Sequence, residues 1–221
     1  MKRSHFPFDK LLIAGLFMLG FTDMMGQKSF EGSISYSISL TGKAASDMML
    51  NEPPKKMDLH IKDDNFILSL SGGRIPRTFL FIGDSSETYS IDMNNQKAYK
   101  NTYYRDTVTV VPVAKPTGKS VVVKGDTCQE YVLERPSAQE TIYYYVVDKY
   151  RVDSKLYEGK KDAKADFLTP GLEGRIPLKK VIQTPNVTTE ISLMSIKPKA
   201  LDASNFQIPE GFVVKKRDPR L

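Results

Sequence analysis

Between residues 30 and 40 the chain alternates strictly, with Phe30, Gly32, Ile34, Tyr36, Ile38 and Leu40 on one parity and Ser33, Ser35, Ser37 and Ser39 on the other. A helix would scatter these apolar side chains around its axis, whereas an extended strand puts them all on one face. The segment is therefore read as a half-buried β-strand, which needs neighbours for its backbone groups and a cover for its apolar side. Similar period-two runs follow at 57–62, 65–70, 78–82, 88–92, 97–101, 107–113, 120–123, 128–134, 141–148, 178–183, 187–196 and 212–215.

Turn chemistry separates these runs. Asp63-Asp64-Asn65, Ser71-Gly72-Gly73, Gly83-Asp84-Ser85, Asn94-Asn95, Lys124-Gly125-Asp126 and Thr184-Pro185-Asn186 supply the residues that connect adjacent antiparallel strands. The spacing of roughly 8 to 12 residues predicts a meander, because parallel βαβ units need longer helical crossovers. Two stretches break the rhythm. Residues 44–50 (AASDMML), stopped by Asn51-Glu52-Pro53-Pro54, and 160–168 (KKDAKADFL), stopped by Thr169-Pro170-Gly171, are predicted as short helices. The expected fold is thus mainly β, a curled antiparallel sheet of about eleven strands forming an open half-barrel with one or two short helices. Strand twist accumulates, so a sheet this wide curls, splits or closes.

The first 26 residues read differently. Lys2, Arg3 and Lys10 precede the apolar stretch 11–21 (LLIAGLFMLGF), and residues 22–26 form a short exit towards small residues. This is the order of a secretory signal peptide; eleven apolar residues are too few to span a bilayer. Cleavage is expected before Gln27, leaving 27–221 as a single domain, and no Cys follows the apolar stretch to carry a lipid anchor. Of the 32 basic and 26 acidic residues, the leader holds three and two, so the remainder carries 29 and 24. The basic pairs Lys55-Lys56, Lys160-Lys161 and Lys179-Lys180 are dispersed along the chain, which excludes a clustered nucleic-acid footprint. The protein is expected to be exported, periplasmic or outer-membrane associated.

Several short motifs, taken in order, resemble a known family. Phe30-Glu31-Gly32-Ser33-Ile34-Ser35-Tyr36, then Tyr89-Ser90-Ile91-Asp92 with Lys97-Ala98-Tyr99, then residues 123–131 (VKGDTCQEY), Gly174-Arg175-Ile176-Pro177-Leu178 and Phe206-Gln207-Ile208-Pro209-Glu210-Gly211-Phe212 are similar to domain-of-unknown-function family 4412. That family comprises exported Bacteroidetes proteins and looks like the lipoprotein-carrier (LolA/LolB-like) superfamily. The resemblance implies one antiparallel sheet curled into a half-barrel with a concave apolar face. Asp106-Thr107-Val108 also matches the short Asp-Thr-aliphatic pattern associated with O-glycosylation of such proteins.

The sequence offers little for catalysis. Beyond the leader it holds one histidine, His60, and one cysteine, Cys128. A Cys-His nucleophile would need these two unique residues to converge. His60 alternates with Leu59 and Ile61 and is expected to face solvent, whereas Cys128 is read as a small buried hydrophobe without a disulfide partner. No spacing suggests a zinc site; Asp63-Asp64-Asn65 lacks the later ligands of a calcium loop, and Ser71-Gly72-Gly73-Arg74 sits between strands rather than before a helix. No catalytic residue, metal or cofactor is assigned, and the chain is read as a non-enzyme.

Tyr103-Tyr104 and Tyr143-Tyr144-Tyr145 place rings on both faces of their strands, either as cross-strand packing or as a ligand platform. The expected ligand-binding face is concave and lined by Ile34, Tyr36, Ile38, Phe66, Leu68, Phe79 and Phe81. Met48, Met49 and Leu50 of the first helix would form a lid over it, unbranched methionines suiting an adaptable apolar cover. Two classes of function fit this sequence. One is an envelope protein that holds an apolar or lipid-like ligand in the half-barrel. The other is an interaction protein that docks on an outer-membrane or secretion partner, its concavity filled by its own residues.

Overall fold

A computed structural model describes residues 29–49, 51–101, 111–160 and 163–216. Twelve strands form one open sheet: β1 (Gly32–Thr41), β2 (Lys56–Lys62), β3 (Asn65–Ser71), β4 (Arg77–Ile82), β5 (Glu87–Asp92), β6 (Lys97–Asn101), β7 (Lys115–Val123), β8 (Asp126–Arg135), β9 (Glu140–Arg151), β10 (Arg175–Gln183), β11 (Thr188–Pro198) and β12 (Val213–Lys216). The order across the sheet is β12-β6-β5-β4-β3-β2-β1-β11-β10-β9-β8-β7. Two meanders, β1 to β6 and β7 to β11, are therefore joined where β1 pairs antiparallel with β11. The single α-helix among the described residues, α1 (Ala45–Met49), lies between β1 and β2. The curled, open, mainly β architecture is the expected one, except that β12 runs parallel to β6.

The first strand shows why alternation decides so much. Ile34 and Tyr36 are buried on one face, level with Leu59 and Met57 of β2. The serines line the other face, where the Ser33 hydroxyl lies 2.8 Å from His60 Nδ1 and the Ser35 hydroxyl donates to Asp58. Hairpin turns follow the turn residues closely. Lys124 and Gly125, both at positive φ, make the two-residue link between β7 and β8, a geometry whose twist matches that of the flanking strands.

Apolar residues cover both faces of the first half of the sheet. On the inner face, Phe66 and Leu68 of β3 lie opposite Phe81 and Phe79 of β4. On the outer face, Leu80, Tyr89, Ile91 and Ala98 meet Phe206, with Leu201, Ile208 and Phe212 packed around them. This second core is built by the chain that returns from β11 to β12. It is fastened where the Glu31 carboxylate accepts hydrogen bonds from Lys62 Nζ at 2.9 Å and from the Leu201 N–H at 2.7 Å.

Some local expectations are corrected. Of the stretch predicted as a helix over 160–168, residues 161–162 lie outside the described residues and the rest holds one short 3-10 turn at Asp166–Leu168; another precedes the stretch at Ser154–Tyr157, capped by the Asp153 carboxylate on the Lys155 N–H. Helix propensity over nine residues is weak, and seating Phe167 and Tyr157 on the sheet overrides it. Of the strand predicted at 107–113, residues 107–110 lie outside the described residues. Residues 111–114 are unpaired in the sheet, with the Ala114 N–H bonded to the Pro170 carbonyl. The signal peptide, Leu50, Tyr103-Tyr104 and Asp106-Thr107-Val108 also fall outside the described residues.

Candidate functional site

The inner face of the half-barrel is the candidate site. Its floor is apolar because the inward parity of β1, β2, β3 and β4 holds Ile34, Tyr36, Met57, Leu59, Ile61, Phe66, Leu68, Phe79 and Phe81 in cross-strand register. Of the residues predicted to line it, Ile34, Tyr36, Phe66 and Phe81 are buried, Ile38 and Leu68 are partly buried against the same cluster, and Phe79 is half-buried.

Residues 152–160 and 163–174 fill this face. Phe167 and Tyr157 complete a cluster of four rings. Phe66 and Phe81 stack with centroids 5.1 Å apart, Phe167 meets Phe66 edge-on at 6.0 Å, and Tyr157 lies 6.0 Å from Phe81 and 5.7 Å from Phe167. Further along the segment, Leu172 packs on Tyr131, Leu133, Ile142, Tyr144 and Val146. Two glycines allow this close approach. Gly171 and Gly174 have φ near +92° and +79°, and a Cβ on either would sit 2.0 to 2.1 Å from the carbonyl oxygen of Ala114 or Val152.

Polar latches hold the segment at Tyr157, Lys160 and Asp166. Lys180 Nζ reaches Asp166 Oδ1 and Oδ2 at 2.9 and 2.7 Å, Lys160 pairs with Asp64, and the Tyr157 hydroxyl donates to the Asp63 carbonyl at 3.2 Å. Burial works against the Lys180 charge, but attraction and hydrogen bonding to Asp166 outweigh it and leave the ammonium above the usual lysine range. Burial, with Asp166 adding to it, raises Tyr36 well beyond an ordinary phenol, and its hydroxyl donates to the Pro177 carbonyl at 2.9 Å. Beneath the segment a void of about 20 Å³ remains among Tyr36, Leu59, Leu68, Asp166, Phe167 and Lys180. That is room for about one water. A wider open cleft of about 340 Å³ runs beside Ser154, Lys160, Thr169 and Glu173.

The helix α1 lies elsewhere. It has no buried residue, and Met48 and Met49 are 41% and 46% exposed. Neither joins the inner apolar cluster, because five helical residues tied through the Ala44 N–H to the Asn186 carbonyl sit at the end of the sheet. The cover over the inner face is thus the 152–174 segment, whose aromatic residues were visible in the sequence but whose destination was not.

The remaining candidates are dispersed. Four strands, β1, β11, β10 and β9, separate His60 on β2 from Cys128 on β8, so they form no pair. His60 is half-exposed on the outer face as its alternation indicates, and Cys128 is fully buried. Burial pushes the Cys128 thiol up. Native protein should therefore react with a thiol reagent only at the rate at which it opens, and adding denaturant should speed labelling sharply; rapid labelling of the folded state would contradict this. Tyr144 is buried and packs beneath Leu172, while Tyr143 and Tyr145 are half-exposed, with Lys179 Nζ 6.0 Å from the Tyr145 ring centre. Among the described residues no three His, Cys, Asp or Glu side chains gather as a metal site would require.

Outer-face ion pairs give the sheet an acid limit. Burial raises Asp58, but hydrogen bonds from Ser35 and Lys56 win and hold its carboxyl below the usual range; Lys179 and Ser192 lower Glu190, and Lys100 and Tyr89 lower Glu87. A carboxyl depressed on folding stabilises above its unfolded value and loses that contribution as pH falls through its folded value. The urea midpoint should hold from neutrality to about pH 4.5 and fall below about pH 4. A midpoint unchanged to about pH 3 would show that these pairs contribute nothing.

A sequence profile described as Domain of unknown function (DUF4412) matches residues 30–212. The chain belongs to this family. The ordered motifs of the DUF4412 chain had pointed to it, and the open half-barrel is the architecture that the resemblance implied. No curated protein matches the sequence. Among solved structures the DUF4412 chain is similar to PNGF-II, at 17% identity and TM-score 0.50, over 86% of this chain and 31% of that one. It is also similar to an uncharacterized conserved protein from Thermus thermophilus, at 9% identity and TM-score 0.48, over 83% and 91% of the two chains. A third likeness is to the lipoprotein LppX of Mycobacterium tuberculosis, at 10% identity and TM-score 0.34, over 78% and 89%. The likeness to PNGF-II is one of fold, and the chain spans about a third of that protein's length.

Proposed function

We propose that this DUF4412 chain is an exported envelope protein, its residues 1–26 a leader and 27–221 one domain, that works without catalysis by docking on a partner at the outer membrane. One observation carries this reading: the concave face is already occupied. Tyr157, Phe167 and Leu172 pack on its floor and leave about 20 Å³ there, whereas sites for apolar small molecules run to about 300 Å³ or more; the open cleft of about 340 Å³ is lined by residues of the covering segment alone and by none of the β1–β4 floor. With the site filled from within, the exposed apolar residues outside it are what the protein has to offer a partner.

A second reading has its own support. Among its described residues the filling segment has no regular strand or α-helix, and ion pairs rather than a continuous ladder tie it down. Were it displaced, Ile34, Tyr36, Ile38, Phe66, Leu68, Phe79 and Phe81 would line a trough for an acyl chain, and the protein would be a lipid carrier. Titration with a fluorescent fatty acid separates the two. The docking reading expects no saturable binding by the parent. Saturable binding that is lost when Phe81→Asp puts a charge into the trough, with the sheet still folded, would replace it with the carrier.

A further inference from the structure

One end of the half-barrel gathers exposed apolar side chains and cations. Residues 42–49 and 51–55 lead from β1 through α1 to β2, and they meet the β3–β4 and β10–β11 turns there. The Arg74 N–H bonds the Glu52 carbonyl at 2.9 Å, the Lys55 N–H the Ser71 carbonyl at 2.9 Å, and the Ala44 N–H the Asn186 carbonyl at 3.1 Å. Gly73 permits the closest of these approaches, since a Cβ there would lie 2.5 Å from the Glu52 carbonyl oxygen. Among the described residues, three large apolar side chains stand out from this rim: Met48, Met49 and Ile75, the last 63% exposed. Around them Lys43, Lys55, Arg74 and Arg77 are all exposed, and none is in a salt bridge among the described residues. Against these four cations stand two carboxylates, Asp47 and Glu52, which leaves the rim at +2.

We propose that this rim docks reversibly on an anionic lipid surface. The inference gives the docking reading its partner and rests on that reading. The pattern suits lipid better than protein. A stable protein interface needs a packed patch of roughly 800 Å² on each side, whereas this rim has three apolar side chains separated by charges. At a bilayer surface no complementary shape is required. Unbranched methionines on a helix with nothing to bury can each enter the headgroup layer, and lysines and arginines beside them find phosphates wherever they lie. With only three apolar contacts and a small charge excess, the contact is weak and reversible.

The test is co-sedimentation of the protein, recovered from cells expressing the full chain, with vesicles of phosphatidylcholine alone or mixed with phosphatidylglycerol. Binding is expected to the mixed vesicles and to fall with added salt. Lys55→Ala with Arg74→Ala should weaken it roughly 25-fold, each cation near an anionic surface being worth roughly fivefold. Met48→Asp with Ile75→Asp should reduce it to the level seen with phosphatidylcholine, while circular dichroism stays that of the parent. The chain has no Trp, so the indole introduced by Met49→Trp reports alone, and its emission should shift to the blue on the mixed vesicles. Failure of the parent to bind the mixed vesicles, or binding that leaves this emission unchanged, overturns the proposal. Saturable fatty-acid uptake into the trough would instead overturn the docking reading, whatever the vesicles show.

Discussion

Phe167→Ala should cost about 3–5 kcal/mol of stability, among the largest losses any single side chain of this protein can produce. The ring is 1% exposed, meets Phe66 and Tyr157, and is presented by a 3-10 turn of three residues that has little other hold on the sheet. Its removal leaves a hole beside a void that already exists, and stacked strands on the other side are too rigid to close it. Urea unfolding should show the loss as a lowered midpoint. Met49→Ala, on a side chain 46% exposed and outside the core, should stay within about 0.5 kcal/mol of the parent. A loss under about 1 kcal/mol for Phe167→Ala would mean that the segment does not fill the inner face, and with it the docking reading would lose its ground.

Asp166→Ala should cost about 3 kcal/mol, the lower end of what breaking a buried ion pair costs, because Asp166 itself keeps 32% of its side-chain exposure. Most of that cost belongs to the partner left behind. Lys180 is only 14% exposed, sits among apolar residues, and would keep a charge with nothing to balance it. Removing both charges at once gives the opposite outcome. Lys180→Met with Asp166→Leu should return stability to within about 1 kcal/mol of the parent or above it, since an apolar pair in this place incurs no desolvation. A double variant no better than the single one would show that the segment depends on the hydrogen-bond geometry of this pair and not on the balance of charge. The measurement is again the urea midpoint, on the parent and the two variants at one pH.

Local rules along the chain settle a good deal of this protein. Period-two alternation placed β1 to β6 within a residue or two of their bounds, because a strand with one buried face cannot slip its register without turning every side chain over. Turn residues placed the hairpins for the same local reason, as at Lys124-Gly125, and alternation also put His60 on the outer face. The apolar floor of the candidate site, from Ile34 to Phe81, was legible too, since it is the inward parity of strands that pair with their sequence neighbours. What could not be read there is everything that joins distant parts of the chain. That β1 pairs with β11, that β12 adds to β6 in parallel, and that Leu201 and Phe206 build a second core on the outer face depend on where long connections end. No periodicity encodes such a meeting. The cover over the inner face is the clearest case. Residues 44–50 and 160–168 read alike as short helix formers, and only the packing of the whole chain sent 163–168 inward, where Phe167 meets the rings of Phe66 and Tyr157 and Asp166 finds Lys180, and left 44–49 at the rim with Met48 and Met49 exposed.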